Sequence, residues 1–250
     1  MENISTMQRI KNFLLDLIFP ATCLGCKRLI AVRQYANRMS RPGLCQDCLG
    51  KIKLQTGFAC AFCQAAVING MTCPFCRRDH VLSQLLVVAN YEQSLVKETI
   101  KNLKYRFMRG LVEDLRPLLM VYLKKQIDRD ILHIDRTLVV PVPLSTRRLK
   151  WRGFNQAEIL ANTIGKELGL EVAEVLKRTI QKRPQAEITS RPDRINNVKN
   201  AFTCTSTLIK DKNILLVDDI STTGSTLEEC AKVLRTGGAQ RISAFVFARG

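Results

Sequence analysis

Two adjacent acidic residues followed by a run of small hydroxylated residues are the part of this sequence best suited to chemistry. Asp218 and Asp219 directly follow an apolar segment, Ile214–Val217, that is typical of a buried strand. The loop behind them contains Ser221, Thr222, Thr223, Gly224, Ser225 and Thr226, and the next helix is predicted to begin near Leu227. Amides and hydroxyls at a helix N-terminus bind phosphate, and paired carboxylates accept hydrogen bonds from a vicinal diol. The pattern therefore predicts a pocket for a ribose 5-phosphate.

A plainer interpretation is a strand–turn–helix corner in which one acid or one hydroxyl caps the helix. Capping explains single residues, whereas the pattern extends over all thirteen residues of 214–226. This segment resembles the signature of the type I phosphoribosyltransferases, which bind phosphoribosyl pyrophosphate (PRPP). The resemblance implies that Asp218 and Asp219 are the catalytic acids facing the ribose hydroxyls. It also implies that the hydroxyl loop wraps the 5-phosphate.

A second candidate segment, residues 141–156, is rich in basic residues at the end of another predicted strand. It contains Arg147, Arg148, Lys150 and Arg152 and no acidic residue. Cations and loop amides stabilise the charge of a pyrophosphate group, so the three arginines are predicted to bind that part of the ligand. The single tryptophan, Trp151, lies among them. We expect it to pack against the protein, with stacking on a base as the alternative.

Eight of the ten cysteines form four Cys-x-x-Cys pairs. They are Cys23/Cys26, Cys45/Cys48, Cys60/Cys63 and Cys73/Cys76. This spacing is typical of zinc knuckles, and four thiolates complete one tetrahedral structural site. The sequence therefore predicts two structural Zn²⁺ sites, formed either by consecutive pairs or by interleaved pairs. Disulfides are the competing explanation, but they need an oxidising compartment, for which the sequence shows no export signal.

The chain is strongly basic, with 39 Lys and Arg against 22 Asp and Glu and a formal net charge of +17. Eight thiolates and two Zn²⁺ would lower this charge by four, to +13. A positive electrostatic field attracts polyanions, which favours nucleic acids or phosphorylated molecules as ligands. The alternative is that the charge serves only to keep the protein soluble. In the cysteine-rich segment, basic residues interleaved with Tyr35 and Phe58 could contact single-stranded nucleic acid, or could simply be solvated.

No stretch is long and apolar enough to span a bilayer, so we expect a cytoplasmic protein and not an integral membrane protein. Near the N-terminus one helical face carries apolar residues, at Ile10, Phe13, Leu14, Leu17 and Ile18. This predicts an amphipathic helix packed on the protein. Binding to a membrane surface or to a partner is the alternative.

From residue 82 onwards continuous apolar strands alternate with helices, which predicts an α/β fold with a mostly parallel sheet flanked by helices. We expect two domains: residues 1–81, with the N-terminal helix and a double zinc ribbon, and residues 82–250, a phosphoribosyltransferase-like domain. Ligands of such sheets bind beyond the C-terminal ends of the strands. The polar and basic segment 182–202 is expected to form a lid or an ordinary surface loop.

Over nearly its whole length the chain resembles the ComF family, which combines a double zinc ribbon with a phosphoribosyltransferase-type domain. The strings that carry this resemblance include Leu103-Lys104-Tyr105, Pro141-Val142-Pro143-Leu144 and Arg152-Gly153-Phe154-Asn155-Gln156-Ala157. After Tyr105 the chain departs from the family's usual pattern and continues Arg106-Phe107-Met108. The resemblance implies PRPP binding and a role in natural transformation, handling incoming single-stranded DNA in the cytoplasm.

Three functions are consistent with these features. The first is a DNA-uptake protein that binds PRPP or a related phosphoribosyl ligand together with single-stranded DNA. The second is a catalytic phosphoribosyltransferase using Mg²⁺ with PRPP and an unidentified base. The third is a PRPP-responsive regulator or scaffold whose ribbons bind a DNA-processing protein, for instance a helicase.

Overall fold

A four-stranded parallel sheet forms the centre of the molecule. The structure is a computed structural model and describes residues 20–30, 43–105, 110–179 and 200–250. The strands of this sheet are β1 (Gln84–Asn90), β2 (Thr137–Pro141), β5 (Asn213–Ser221) and β6 (Ile242–Arg249). Their order is β1-β6-β5-β2, and all three pairings are parallel. The predicted α/β fold with a parallel sheet is confirmed.

Both faces of the sheet are buried, as the continuous apolar strands require. In β5, Leu215 and Val217 belong to one hydrophobic cluster, while Ile214 and Leu216 belong to the other. Strand β6 alternates in the same way, with Phe245 among the residues of the first cluster. Because neighbouring side chains point to opposite faces of a strand, the sheet has a hydrophobic core on each side.

Helices cover these two cores. The helices of the first face are α2 (Ser94–Asn102), α3 (Gly110–Asp128) and α5 (Gln156–Leu168), and on the second face lies α6 (Ser225–Thr236). The short helix α4 (Thr146–Arg152) follows β2 and buries none of its residues. Asn155 caps α5 by accepting a hydrogen bond from the Ala157 amide, and its amide group donates to the Val142 carbonyl oxygen. The start of α5 is thereby fixed to the end of β2.

A short antiparallel hairpin, β3 (Leu176–Arg178) with β4 (Phe202–Cys204), covers part of the second face and was not predicted. Leu176 and Phe202 are buried there, in the second core. The hairpin flanks residues 180–199, so most of the predicted lid lies outside the described residues. The predicted N-terminal helix, Ile10–Ile18, also lies outside them.

The cysteine-rich segment lies beside β1 and includes a short helix, α1 (Gln46–Gly50). Two antiparallel bridges, Leu54 with Ala89 and Met71 with Gln84, join it to this edge of the sheet. Buried residues on either side of residue 82 contribute to the same two cores. No helix of the described part of the chain is long and apolar enough to cross a membrane.

Candidate functional site

The predicted acids and the hydroxyl loop form a pocket at the C-terminal ends of β2 and β5. The pocket encloses about 140 Å³. Its lining consists of Lys104, Val142, Pro143, Leu144, Arg148, Arg152, Arg178 and the continuous segment Asp218–Leu227. Strand β5 continues through both acids to Ser221, and helix α6 begins at Ser225, two residues before the predicted start. The loop between strand and helix is therefore only residues 222–224.

The two carboxylates differ in their surroundings. Asp219 is 8% exposed, and its Oδ2 is buried without a hydrogen-bond partner within the described residues. Asp218 is half-buried and its Oδ1 accepts a hydrogen bond of 2.8 Å from the Asp219 amide. Burial raises the pKa of Asp218 well above its usual range, the Asp219 carboxylate raises it further, and the positive charge of Lys104 acts in the opposite direction. A diol or another donor at this point would satisfy the free carboxylate oxygen.

The hydroxyl loop is organised to present donors. Gly224 has φ +76°, a left-handed conformation that suits glycine, and it is the N-cap of α6. Because glycine has no side chain, it supplies no acceptor for the first amides of the helix. Thr223 Oγ1 and Ser225 Oγ lie 2.7 Å apart, while the buried Ser221 Oγ has no partner within the described residues. The Ser225 amide donates to Thr223 Oγ1 at 3.4 Å. Helix amides and hydroxyls gathered at one point can bind a phosphate dianion.

Cations from three separate segments, Lys104, Arg148 with Arg152, and Arg178, form a cationic part of the pocket wall. Arg148 and Arg152 are there as predicted, but Arg147 is exposed and is not part of the pocket lining. Sequence reasoning missed Arg178, which the β3–β4 hairpin brings to the site with its guanidinium 5.3 Å from the Phe202 ring. The short strand offered no motif that singles out this arginine. Lys104 appeared only within one of the strings carrying the family resemblance.

Burial lowers the pKa of both Arg152 and Arg178, and repulsion from Arg148 lowers them further. Arginine remains charged under such conditions. The Nε atoms of Arg152 and Arg178 are buried without a hydrogen-bond partner within the described residues. Together with Asp219 Oδ2 and Ser221 Oγ, four polar atoms that the described part of the chain leaves unpaired belong to residues lining one pocket. Buried polar atoms are normally paired, so this concentration indicates a site for a polar, anionic ligand.

Two groups of four cysteines are present among the described residues, and they follow the sequential pairing. One comprises Cys23, Cys26, Cys45 and Cys48, the other Cys60, Cys63, Cys73 and Cys76, and within each group all four sulfurs lie within 4.8 Å of one another. The distance between Cys26 and Cys45 sulfurs is 3.8 Å, and that between Cys63 and Cys73 sulfurs is 3.6 Å. A tetrahedron with Zn–S bonds of about 2.3 Å has edges of about 3.8 Å. Both groups therefore fit Zn²⁺.

Backbone amides donate hydrogen bonds to some of the cysteine sulfurs in both groups. Burial opposes ionisation of Cys23 and Cys60, but hydrogen bonds from backbone amides outweigh it and lower the pKa of Cys23 to about 7 and that of Cys60 to about 6. The amide of Cys45 donates to Cys23 Sγ, and the amide of Cys76 donates to Cys73 Sγ, each at 3.4 Å. Burial and the neighbouring sulfurs raise the pKa of Cys48 and that of Cys76 to about 12. Thiolates are the form that binds Zn²⁺, so within each group the first cysteine ionises most readily.

The second cysteine group is tied to the pocket region by two charged side chains. Arg249, the last residue of β6, donates hydrogen bonds to the carbonyl oxygens of Ala59, Cys60 and Ala61. Glu228, buried in the first turn of α6, accepts hydrogen bonds from the amides of Val81 and Leu82. The helix that follows the hydroxyl loop is thus anchored to the cysteine-rich segment.

The aromatic residues considered for base stacking have different positions. Trp151 was expected to pack, but its side chain is exposed; it stands on α4, a helix with no buried residue. Phe58 is partly buried against the first core, and Tyr35 lies outside the described residues. Of these three aromatic residues, therefore, Trp151 alone is shown to present its ring to solvent.

Comparisons with known proteins agree with this geometry. The phosphoribosyl transferase domain family matches residues 151–250. The DNA utilization protein YhgH of Escherichia coli K12 is 28% identical over 232 residues, covering 83% of this chain and 97% of the relative. The competence protein F of Haemophilus influenzae is 26% identical, covering 82% and 96%. The competence protein ComFC of Bacillus subtilis is 27% identical, covering 82% and 84%.

Proposed function

The chain belongs to the ComF family of competence-related proteins with a phosphoribosyltransferase-like domain, and from this premise we propose that it binds PRPP or a related phosphoribosyl ligand. We propose further that it acts in DNA uptake by handling single-stranded DNA in the cytoplasm. The observation that supports the ligand most strongly is a set of four buried polar atoms in one pocket that have no partner among the described residues. Each part of that pocket matches one part of PRPP.

The hydroxyl loop and the N-terminus of α6 suit the 5-phosphate, because amides and hydroxyls converge there and the N-cap Gly224 has no side chain to compete for them. Thr223 Oγ1, which accepts from the Ser225 amide at 3.4 Å, would turn its hydroxyl to the phosphate. Asp218 and Asp219 suit the ribose diol, because carboxylates accept from both hydroxyls. Arg148, Arg152 and Arg178, with Lys104, suit the pyrophosphate, since a guanidinium group binds phosphate oxygens through charge-assisted hydrogen bonds.

The proposal includes two kinds of metal ion, Mg²⁺ in the phosphate pocket and Zn²⁺ in the cysteine groups. Mg²⁺ prefers carboxylate and phosphate oxygens, and the free Asp219 Oδ2 beside the phosphate loop fits such an ion held together with the ligand. Bound Mg²⁺ would neutralise pyrophosphate charge. The two cysteine groups would hold structural Zn²⁺, with no protein ligand position left open in either tetrahedron.

DNA handling is supported by charge and by the relatives. The formal net charge is +17, and two zinc-thiolate centres would reduce it only to +13. A protein with this charge attracts the phosphate backbone of a nucleic acid. The matched relatives are named for DNA utilization and for competence. The zinc module would then be the surface for a DNA-processing partner such as a helicase.

Catalytic transfer is the second candidate, favoured by the carboxylates and the cationic wall meeting in one pocket. In this reaction the bond between ribose C1 and pyrophosphate breaks and a nucleophilic nitrogen of an acceptor base bonds to C1. The proton of that nitrogen passes to the departing pyrophosphate or, through it, to solvent. Asp218 and Asp219 would stabilise the ribosyl cation character that develops at C1. The cationic wall would hold the departing pyrophosphate.

Calorimetric titration of PRPP with Mg²⁺ into the zinc-loaded protein tests the proposal, with pyrophosphate release measured in the same samples. We expect binding that is lost in the double variant Asp218→Asn/Asp219→Asn and kept in the exposed control Asp211→Asn. Release that depends on an added base would establish transfer. If neither PRPP nor another phosphoribosyl compound binds, the proposed ligand is wrong.

A further inference from the structure

Trp151 and Tyr105 form an exposed aromatic pair beside the phosphate pocket. Trp151 is 71% exposed and Tyr105 is 45% exposed. Their ring centroids are 6.4 Å apart with an interplanar angle of 61°, an edge-to-face contact. In an edge-to-face contact the ring that offers its edge keeps both of its faces uncovered by its neighbour. Adjoining exposed apolar groups with a polar rim mark interaction sites, whereas single exposed apolar residues do not.

The cleft around this pair is cationic. It is lined by Lys104, Tyr105, Lys150, Trp151, Arg152 and Gly153, three cations without an acid. Lys104 and Arg152 also line the phosphate pocket, so the two sites share a wall. An aromatic face surrounded by cations suits a ligand that carries flat rings at regular distances from phosphate groups.

We infer that this cleft, Lys104–Tyr105 with Lys150–Gly153, stacks an unpaired base of single-stranded DNA. The flanking phosphates would contact Lys104, Lys150 and Arg152. This inference rests on the proposed handling of single-stranded DNA and gives it a location. A duplex hides the faces of its bases within its own stack, and an acidic peptide would use the cations but not the Trp151 face. Charge and ring exposure together therefore favour a single strand.

The chain contains one tryptophan, so its emission reports directly on this cleft. Oligothymidylate of about ten nucleotides, within the usual site size, would be titrated into the zinc-loaded full chain. We expect quenching of the emission. A strand of equal length without bases carries the same phosphates and should bind more weakly, without comparable quenching.

Variants separate stacking from charge. With a labelled strand and anisotropy as the readout, Trp151→Ala should weaken binding about 5- to 150-fold, the range for one stacked base. Trp151→Phe should retain most of the affinity, and Tyr105→Ala should weaken binding in the same direction. Leu208→Ala, at an exposed apolar residue away from the cleft, is the matched control and should bind unchanged.

The inference is overturned if both alanine variants bind oligothymidylate as tightly as the unaltered protein, or if a duplex of equal charge binds more tightly than the single strand. PRPP titration of Trp151→Ala keeps the two proposals apart, because Trp151 does not line the phosphate pocket. Quenching by DNA in a protein that fails to bind PRPP would support this cleft while refuting the proposed ligand.

Discussion

Gly224, in the hydroxyl loop, packs directly on Ala61. In the chain, Ala61 lies between Cys60 and Cys63, two candidate metal ligands of the second cysteine group. A β-carbon added at Gly224 would lie 3.0 Å from the Ala61 carbonyl oxygen and 3.4 Å from the Phe62 ring. The turn between Cys60 and Cys63 therefore supports the loop from behind. No comparable contact of Gly224 with the first group is present among its nearest described neighbours. Metal in the second group should consequently influence the phosphate pocket more strongly.

Removing one ligand from each cysteine group tests this asymmetry. Cys63→Ser and Cys26→Ser change equivalent exposed positions of the two groups. We expect Cys63→Ser to weaken PRPP binding about tenfold, because the loop loses its support. A tenfold loss corresponds to about 1.4 kcal/mol of binding free energy. Cys26→Ser should leave PRPP affinity nearly unchanged. Metal content by mass spectrometry must show that each variant has lost a comparable amount of zinc; equal losses of PRPP affinity would contradict the asymmetry.

Substituting Gly224 separates backbone strain from packing on Ala61. Gly224 and Gly169 have similar left-handed φ values, +76° and +67°, but a β-carbon at Gly169 would meet nothing within 4 Å. We expect each alanine variant to lose stability through the strained backbone, roughly 1–3 kcal/mol. Gly224→Ala should lose more, and it alone should weaken PRPP binding. Urea denaturation and calorimetry provide the two measurements, and similar results for both variants would argue against a packed loop.

Substituting Arg178 tests the part of the site that only the tertiary structure revealed. Its half-buried side chain lines the pocket, so Arg178→Gln should weaken PRPP binding by about 10- to 100-fold, the range for a lost hydrogen bond to a charged group. Arg147→Gln removes the same charge from an exposed position outside the lining and should change affinity far less. Calorimetric titration of both variants at one ionic strength gives the comparison. A larger effect at Arg147 would support the sequence-based prediction that this arginine binds the pyrophosphate.

Asp218 should make stability depend on pH. Its pKa is raised in the folded protein above the usual 3.8, so the native state binds its proton more tightly than the unfolded chain. The stabilising contribution is complete below about pH 4 and is lost as the pH rises through the folded-state pKa. Asp218→Asn should therefore be more stable than the unaltered protein at neutral pH, with the gain shrinking towards pH 4. The free energy of unfolding, measured in urea at both pH values, checks this, with Asp211→Asn as the exposed control.

The parallel sheet and most of the site could be predicted because their signals are local. Continuous apolar strands such as Ile214–Val217 can be satisfied only by burial on both faces, and parallel strands place their C-terminal ends at one edge. The acids and hydroxyl loop therefore had to lie at a ligand-binding edge. The Cys-x-x-Cys spacing likewise brings two sulfurs together through a single turn, whatever the rest of the chain does.

Other features depend on contacts between distant segments, which local sequence does not encode. Arg178 lines the pocket because the pairing of β3 with β4 places it there. Arg147 lies outside the lining because its side chain on the seven-residue helix α4 is exposed. The grouping of the four cysteine pairs and the exposure of Trp151 were also decided in three dimensions. The sequence by itself determined which chemistry is available, through residue types and short-range spacing. Only the tertiary structure decided which side chains converge, because convergence depends on packing between segments far apart in the chain, such as Ala61 against Gly224.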